Sequence, residues 1–410
     1  MKMSCKGCNS ELSKVIDICK SPTCDLYLKK SQKDKKLKLY SLDLYFCKKC
    51  KLIQISDIIN PEKIYNRYLY KSKHSYGLEK HFKNYCEKII KLLKLHPKKN
   101  ILDIGCNDGT FLNFFVKKGY NVLGIDPASN ISLDCKKNKV KLINKFFEKK
   151  LVKKMLKRNN LFDVITANNV LANVPKLKNF FSCISMLLKN DGFFIFETIN
   201  GPSLIKNKYI DMINSEHIYY FSLTSIIKLL SLHNLEVFKI EENKLKGGSF
   251  RVYAKKKSNR LVITKNNEKK INRILLEEKK LGFTTLASIK GYNKIYSLEK
   301  IKTKNFLKKL SLKEKIFAYG ASAGSTSMIY FYNLQKIISF LVDDNKLREN
   351  LYAPGSKIKI LNPTKIASFK PKYIVLLAWR YKRQIISKNK KYIDNGGKFI
   401  SLYPKREIIK

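Results

Sequence analysis

The chain is 410 residues long, 44% apolar and 28% charged, enough material for two or three domains that each bury a core. A mean hydropathy of -0.29, no run of eighteen apolar residues and no apolar signal segment behind Met1 exclude a membrane-spanning helix; we expect a cytoplasmic protein with no membrane partner. The formal charge of +52 comes from lysines spread over every segment rather than one face or tail. It therefore reads as solvated surface and argues against a nucleic-acid partner, although an anionic small molecule would still feel the field.

Cys5-x-x-Cys8 opens the chain and Cys47-x-x-Cys50 closes its first unit. Two knuckles of that spacing set four thiolates tetrahedrally around one zinc ion, with a hairpin or excursion between them. Cys19 and Cys24, split by Ser21-Pro22, have no evident duty; a second, weaker ligand pair and ordinary loop thiols both fit. After Asn60-Pro61-Glu62 a helical pattern starts, with Pro61 suited to a first turn. It carries Tyr65, Tyr68, Tyr70, His74 and Tyr76, runs through Ile90 to Leu95, and ends at His96-Pro97. Tyrosines at that spacing serve a core or an interface more often than chemistry.

A strand at 101–105, a turn Asp103-x-Gly105-x-x-x-Gly109, a helix and a second strand at 121–126 come next. The apolar residues before Asp103 suit a buried parallel strand, and Gly105 and Gly109 let the turn approach a ligand closely. Helix N-terminal amides face whatever lies over the turn, and Asp126 falls where a carboxylate accepts hydrogen bonds from a ribose diol. These parts suit an adenosine-containing cofactor. A dinucleotide would want a G-x-G-x-x-G turn under its pyrophosphate, and Asp103 and Asp108, flanking Asn107, would repel that group. The same acids suit an amino-acid end carrying an ammonium and a sulfonium. The pattern resembles the S-adenosylmethionine (SAM) turn of class I methyltransferases.

Strands at 163–167 and 193–198 extend this into a doubly wound α/β sheet, whose ligands bind at the carboxyl ends of the strands. Asn168 and Asn169 stand just past one of those ends, as cofactor contacts or as turn caps. Phe147, after Phe146, either covers an adenine ring or belongs to the core. Glu216-His217, followed by Tyr219, suits proton abstraction near neutral pH. Gly247-Gly248-Ser249-x-Arg251 reads as a close backbone approach with an anion contact. Residues 258–312 form a lysine-rich helical connector to a second α/β unit. There a strand from Lys315 enters the small-residue turn Gly320 to Gly324, which includes Ser322. A second strand ends in Asp343-Asp344 and a third runs from Tyr373 to Trp379. A second nucleotide pocket and a domain kept for packing both fit that pattern.

The collinear set resembles the SAM-dependent sugar C-methyltransferases over essentially the full length. Its most specific pieces are Cys47-x-x-Cys50-x-Leu52-Ile53-Gln54, Tyr68-x-Tyr70, the turn from Asp103 to Thr110, Ala167-Asn168-Asn169-Val170-Leu171-Ala172 and Glu216-His217. Val342-Asp343-Asp344-Asn345 and Leu377-Ala378-Trp379 complete them. The resemblance implies a zinc-binding domain over 1–62 and a class I Rossmann-like methyltransferase domain over 63–255, with a helical lead-in at 63–98. A C-terminal Rossmann-like nucleotide-sugar domain follows over 256–410, with its connector at 256–312. It further implies C-methylation of a dTDP-linked 4-keto deoxysugar through an enolate. In that reading His217 is the base, Glu216 tunes it, Tyr68 or Tyr70 lies near the sugar, and Gly248, Ser249, Arg251, Gly320, Ser322 and Asp343 hold the substrate. Family members commonly have Tyr at the position of Asn214, His at Lys246, Lys at Gly324 and Asn at Arg380. These departures leave the cofactor turn intact and fall on the sugar side. A nucleic-acid methyltransferase and a non-catalytic SAM-binding scaffold are the rival expectations.

Overall fold

Strand β1 (Leu12–Ile16) pairs antiparallel with β2 (Leu44–Cys47), and β2 with β3 (Ile53–Ile55), in the computed structural model, which describes residues 3–65, 72–74, 77–243 and 248–409. Tyr68, Tyr70, Tyr76, Lys246 and Gly247 lie outside the described residues. One cysteine knuckle precedes β1 and the other is the turn that joins β2 to β3. Pro61 precedes a helical segment described over Glu62–Tyr65. The long helix expected from there instead starts afresh as α1 (Leu78–Leu93), because Gly77 at φ 74° is left-handed and cannot continue a right-handed helix. Helix α1 buries Phe82, Tyr85, Cys86 and Ile89 at helical spacing against the central unit.

That unit is built from β4 (Asn100–Ile104), α2 (Thr110–Val116), β5 (Asn121–Ile125), β6 (Lys141–Ile143), β7 (Phe162–Asn168), α3 (Leu177–Leu187) and β8 (Leu188–Ile199). The two-residue strand β9 (Tyr219–Tyr220) and the hairpin β10 (Leu235–Asn243) and β11 (Ser249–Lys256) follow. The sheet order is β10-β11-β8-β7-β4-β5-β6, parallel from β8 to β6 and closed by the antiparallel β10–β11 pair. Strand β7 is buried along nearly its whole length, as a parallel strand covered on both faces must be. Strand β9 does not join this sheet. It adds to the N-terminal one, with Tyr219 opposite Gln54 and Tyr220 opposite Ile53.

Helices α4 (Lys265–Lys280) and α5 (Leu286–Ser311) form the connector. The last unit holds β12 (Ile316–Tyr319), α6 (Ala323–Phe331), β13 (Ile338–Val342), β14 (Lys359–Leu361), β15 (Tyr373–Leu376), β16 (Lys398–Ser401) and β17 (Glu407–Ile409). Its order is β14-β13-β12-β15-β16-β17, parallel except for the last pair. One continuous apolar core joins Phe46 of the first unit, Phe196 of the second, Tyr296 of the connector and Phe331 of the third. The three units are therefore packed as one body rather than strung on a linker.

Candidate active site

The carboxyl ends of β4, β5 and β7 open on a cavity of about 550 Å³, within the size range of small-molecule sites. Gly105 leaves β4 at φ 71°, and a Cβ there would meet Val170 at 2.3 Å, so only glycine turns the chain at this point. Asp103, Gly105, Asn107, Asp126, Phe147, Asn168 and Asn169 all line the cavity. Asp126 accepts the backbone N–H groups of Asn107 at 3.0 Å and Ala128 at 2.9 Å, each on a different oxygen. Each oxygen keeps a second lone pair, enough to receive a ribose hydroxyl. Asp103 accepts the Thr166 hydroxyl at 2.6 Å, and burial pushes its carboxyl up to about 7 against that bond. Both side-chain polar atoms of Asn168 are buried without a protein partner. Buried polar groups are rarely left so, and a polar ligand in the cavity would satisfy them. Phe147 stands against Phe180 at 5.3 Å in an edge-to-face pair on the cavity wall. These residues fit the ends of SAM: acid for the cationic end, Asp126 for the ribose, aromatic wall for the base.

Glu216 and His217 do not line this cavity. Their loop is stitched to its wall, since Ile218 N–H donates to the Ala172 carbonyl at 2.6 Å and Asn173 is a lining residue. The same Ile218 accepts from Ile55 N–H at 2.9 Å, so the N-terminal sheet holds the loop from the other side. His217 Nδ1 lies 2.9 Å from the Met212 carbonyl. A carbonyl only accepts, so Nδ1 carries the proton and Nε2 is the basic nitrogen of the neutral ring. Glu216 accepts from the Cys24 thiol at 3.5 Å, and Ser215 Oγ accepts the Cys24 backbone N–H at 3.2 Å. Cys24 is thus a prop under the Glu-His loop rather than a metal ligand.

The four knuckle cysteines come together. The Sγ atoms of Cys5, Cys8, Cys47 and Cys50 all lie within 4.8 Å of one another, with 3.6 Å between Cys5 and Cys50 and 3.5 Å between Cys8 and Cys47. Tetrahedral zinc thiolate geometry asks for about 3.8 Å between sulfurs. Each knuckle is closed in the same way, by Asn9 N–H to the Cys5 carbonyl and by Lys51 N–H to the Cys47 carbonyl. Asn9 and Lys51 both sit at φ 64°. Hydrogen bonds from Cys5 and Cys50 hold the Cys47 thiol below the usual thiol range, while the same contacts push the Cys5 and Cys50 thiols up, so the four sulfurs titrate as one set.

Other expected site residues are committed elsewhere. Asp108 is fully buried and caps the turn, accepting from Lys73 N at 3.0 Å and from the Thr110 hydroxyl at 2.6 Å; neither it nor Gly109 lines the cavity. Arg251 is no anion contact. Its guanidinium donates to Glu197 at 2.8 Å and Glu241 at 3.3 Å, nears His81 Nε2 at 3.2 Å and stacks 3.6 Å above the Tyr85 ring. Gly248 backs onto Ser203, and Ser249 is buried in the ladder opposite Ile199.

In the C-terminal unit Asp343 serves its own turn, accepting from Ala321 N at 2.6 Å and Asn345 N at 2.8 Å and pairing with Arg348 at 3.4 Å. Ser322 caps α6, and Gly320 packs on Ala378. The expected nucleotide turn is covered: Tyr27 of the first unit donates to the Ala321 carbonyl, and a Cβ on Gly324 would lie 2.4 Å from the Asp211 carbonyl. Arg380 forms an ion pair with the same Asp211. Both departures at Gly324 and Arg380 therefore meet at one residue of the loop that leads to His217.

Comparison with known proteins agrees with this layout. Residues 5–65 match a zinc binding domain family, 78–240 a methyltransferase domain family and 244–404 the C-methyltransferase C-terminal domain family. The C-methyltransferase NovU of Streptomyces niveus is 26% identical over 375 residues, spanning 90% of this chain and 88% of that protein. A ubiquinone biosynthesis O-methyltransferase of Pelagibacter ubique is 33% identical over 142 residues, 32% of this chain and 57% of that enzyme. Among solved structures, the magnesium protoporphyrin IX methyltransferase of Synechocystis PCC 6803 with bound SAM aligns at 13% identity and a TM-score of 0.32, over 42% of this chain and 78% of that one.

Proposed function

We propose that this chain, a SAM-dependent methyltransferase with the domain set of the C-methyltransferases, methylates a carbon beside the ketone of a nucleotide-linked 4-keto deoxysugar through an enolate. The observation that carries the reading is the Glu216–His217 loop tied to the wall of the cofactor cavity, with His217 fixed in the tautomer whose Nε2 is basic. A ketone acidifies the neighbouring C–H. His217 Nε2 takes that proton while the electron pair moves onto the ketone oxygen, and Glu216 beside it favours the imidazolium that results. Bound SAM supplies a methyl group on a sulfonium, whose carbon–sulfur pair stays with sulfur as the new carbon–carbon bond forms. Asp103, Asp126, Asn168 and Phe147 hold that cofactor, and the loop from Asp211 to His217 presents the acceptor side.

Incubating a panel of nucleotide-linked keto sugars with SAM and reading products by mass spectrometry tests the proposal. A gain of one methyl group on carbon is expected for a 4-keto deoxysugar, together with solvent deuterium at that carbon when SAM is left out. Turnover confined to an oxygen or nitrogen acceptor would overturn it.

Two consequences concern the cofactor. Asp126→Ala should weaken SAM binding about tenfold or more, since a buried polar pair is worth roughly 1–3 kcal/mol; calorimetry giving an unchanged Kd would remove Asp126 from the site. The Asp103 carboxyl is neutral below pH about 7 and charged above it. A cationic ligand end is attracted only to the charged form, so SAM affinity should rise from pH 6 to pH 8, by at most about tenfold per unit below the midpoint. In Asp103→Asn that slope should vanish. A wild-type affinity with no slope over this window would show that Asp103 does not face the cation.

A further inference from the structure

The loop that carries Glu216 and His217 is closed by a buried amide. Asn214 is 4% exposed, and its Oδ1 accepts the backbone N–H groups of Glu216 at 3.0 Å and of His217 at 3.3 Å. Two N–H donors require an acceptor opposite them, so the amide has one orientation, with Nδ2 on its other side. Nδ2 lies 3.3 Å from His217 Nδ1, the same nitrogen that the Met212 carbonyl meets at 2.9 Å. The Tyr220 hydroxyl donates to the His217 carbonyl at 3.0 Å. The imidazole is thus held through its own backbone and through its Nδ1 edge. Charged and titratable groups reach this loop from every unit: Glu216 and Asp211 belong to it, and Cys24 of the first unit donates to Glu216. Tyr65 feels the Glu216 charge, and Arg380 of the third unit pairs with Asp211.

We infer that Asn214 is the positioning residue of the base: its Oδ1 sets the backbone of the Glu216–His217 pair, and its Nδ2 gives the Nδ1 edge of the ring a neutral neighbour, so that proton abstraction extends to lower pH than a carboxylate in that place would permit. The inference rests on the reading of His217 as the base and adds what holds and tunes it. Geometry carries the first half. A reacting group displaced by about 1 Å can lose on the order of 100-fold in rate, and one oxygen here fixes two consecutive peptide N–H groups beside the ring. Charge carries the second half. Only the neutral ring takes a proton, and a negative charge within about 4–6 Å favours the imidazolium. The amide presents an N–H dipole to that edge instead, while the nearer Met212 carbonyl keeps the Nδ1 proton in place.

The test measures kcat/KM against pH for the full chain, with a nucleotide-linked keto sugar that the wild type turns over. Asn214→Asp keeps an acceptor for both N–H groups and puts a charge where the amide nitrogen stood. The midpoint of the acid limb should rise by about one unit or more, with the high-pH plateau within about threefold of wild type. Asn214→Ala removes the acceptor; kcat should fall about tenfold or more at every pH, with the midpoint within about half a unit of wild type. Both variants should keep the SAM Kd within twofold. An unmoved midpoint in Asn214→Asp, or wild-type kcat in Asn214→Ala, overturns the inference while the enolate reading stands. Loss of SAM binding in both variants also overturns it, because Asn214 would then support the cavity wall. Wild-type turnover in His217→Asn removes the base itself, and this inference with it.

Discussion

His217→Asn is expected to reduce turnover by about 10²–10⁴-fold, the range over which a positioned general base acts, while SAM affinity stays within twofold of wild type. Asparagine keeps a donor for the Met212 carbonyl, which His217 Nδ1 reaches at 2.9 Å, so the loop retains its local bond. What is lost is the basic nitrogen. Cofactor binding is spared because Glu216 and His217 do not line the cavity that holds Asp103 and Asp126. The proton-transfer step separates this role from a packing one: deuterium exchange into the acceptor should fall in parallel with methyl transfer. Full exchange in the variant would assign the base to another residue. A collapse of SAM binding alongside activity would instead make His217 a support of the cavity wall.

The cofactor turn was legible in the sequence because its chemistry is local. Gly105, Asn107 and Asp126 lie within one strand-turn-helix-strand unit, and the N–H of Asn107 finds Asp126 only nineteen positions away. The paired cysteine spacings were legible for the same reason, each knuckle being a self-closing turn. Arg251 was misread because its partners are distant: Glu197 is 54 positions away and His81 is 170, and nothing near Arg251 signals them. A buried Arg beside a glycine pair looks like an anion site until those carboxylates are placed. The Tyr65–Asn173 contact spans 108 positions, so Tyr65 reads in sequence only as one of a row of core or interface tyrosines and nothing near either residue signals the other. Cys24 looked idle because Glu216 is 192 positions on. The Gly324 and Arg380 departures seemed unrelated, yet both converge on Asp211, where glycine makes room for the backbone and arginine answers the carboxylate. At that seam the two residues act on one partner, and this is visible only once the third unit is packed on the second.

Removing the metal should have consequences well beyond the first unit. Metal analysis of the purified chain is expected to find about one zinc, and stripping it should abolish turnover while the central sheet stays folded. The magnitudes decide this: structural zinc supplies an apparent ~10–16 kcal/mol in small zinc-binding peptides, comparable with or larger than the roughly 5–15 kcal/mol of net stability of a whole domain. A three-stranded unit as small as β1–β3 has no reserve to cover that loss. Strand β3 also carries β9, through Tyr219 opposite Gln54 and Tyr220 opposite Ile53, and the Cys24 loop props Glu216. When the unit melts, the Glu216–His217 loop loses its pairing with β3 and the Cys24 prop, and is left with its ties to the central unit, from Ile218 to Ala172 and from Tyr219 to Pro175. Hydrogen exchange should therefore quicken at residues 53–55 and 219–220 after chelation, but not along β4 and β7. Cys50→Ser should reproduce the pattern without a chelator. Undiminished turnover in a chain shown to be free of zinc would mean that the loop is held by the central unit alone.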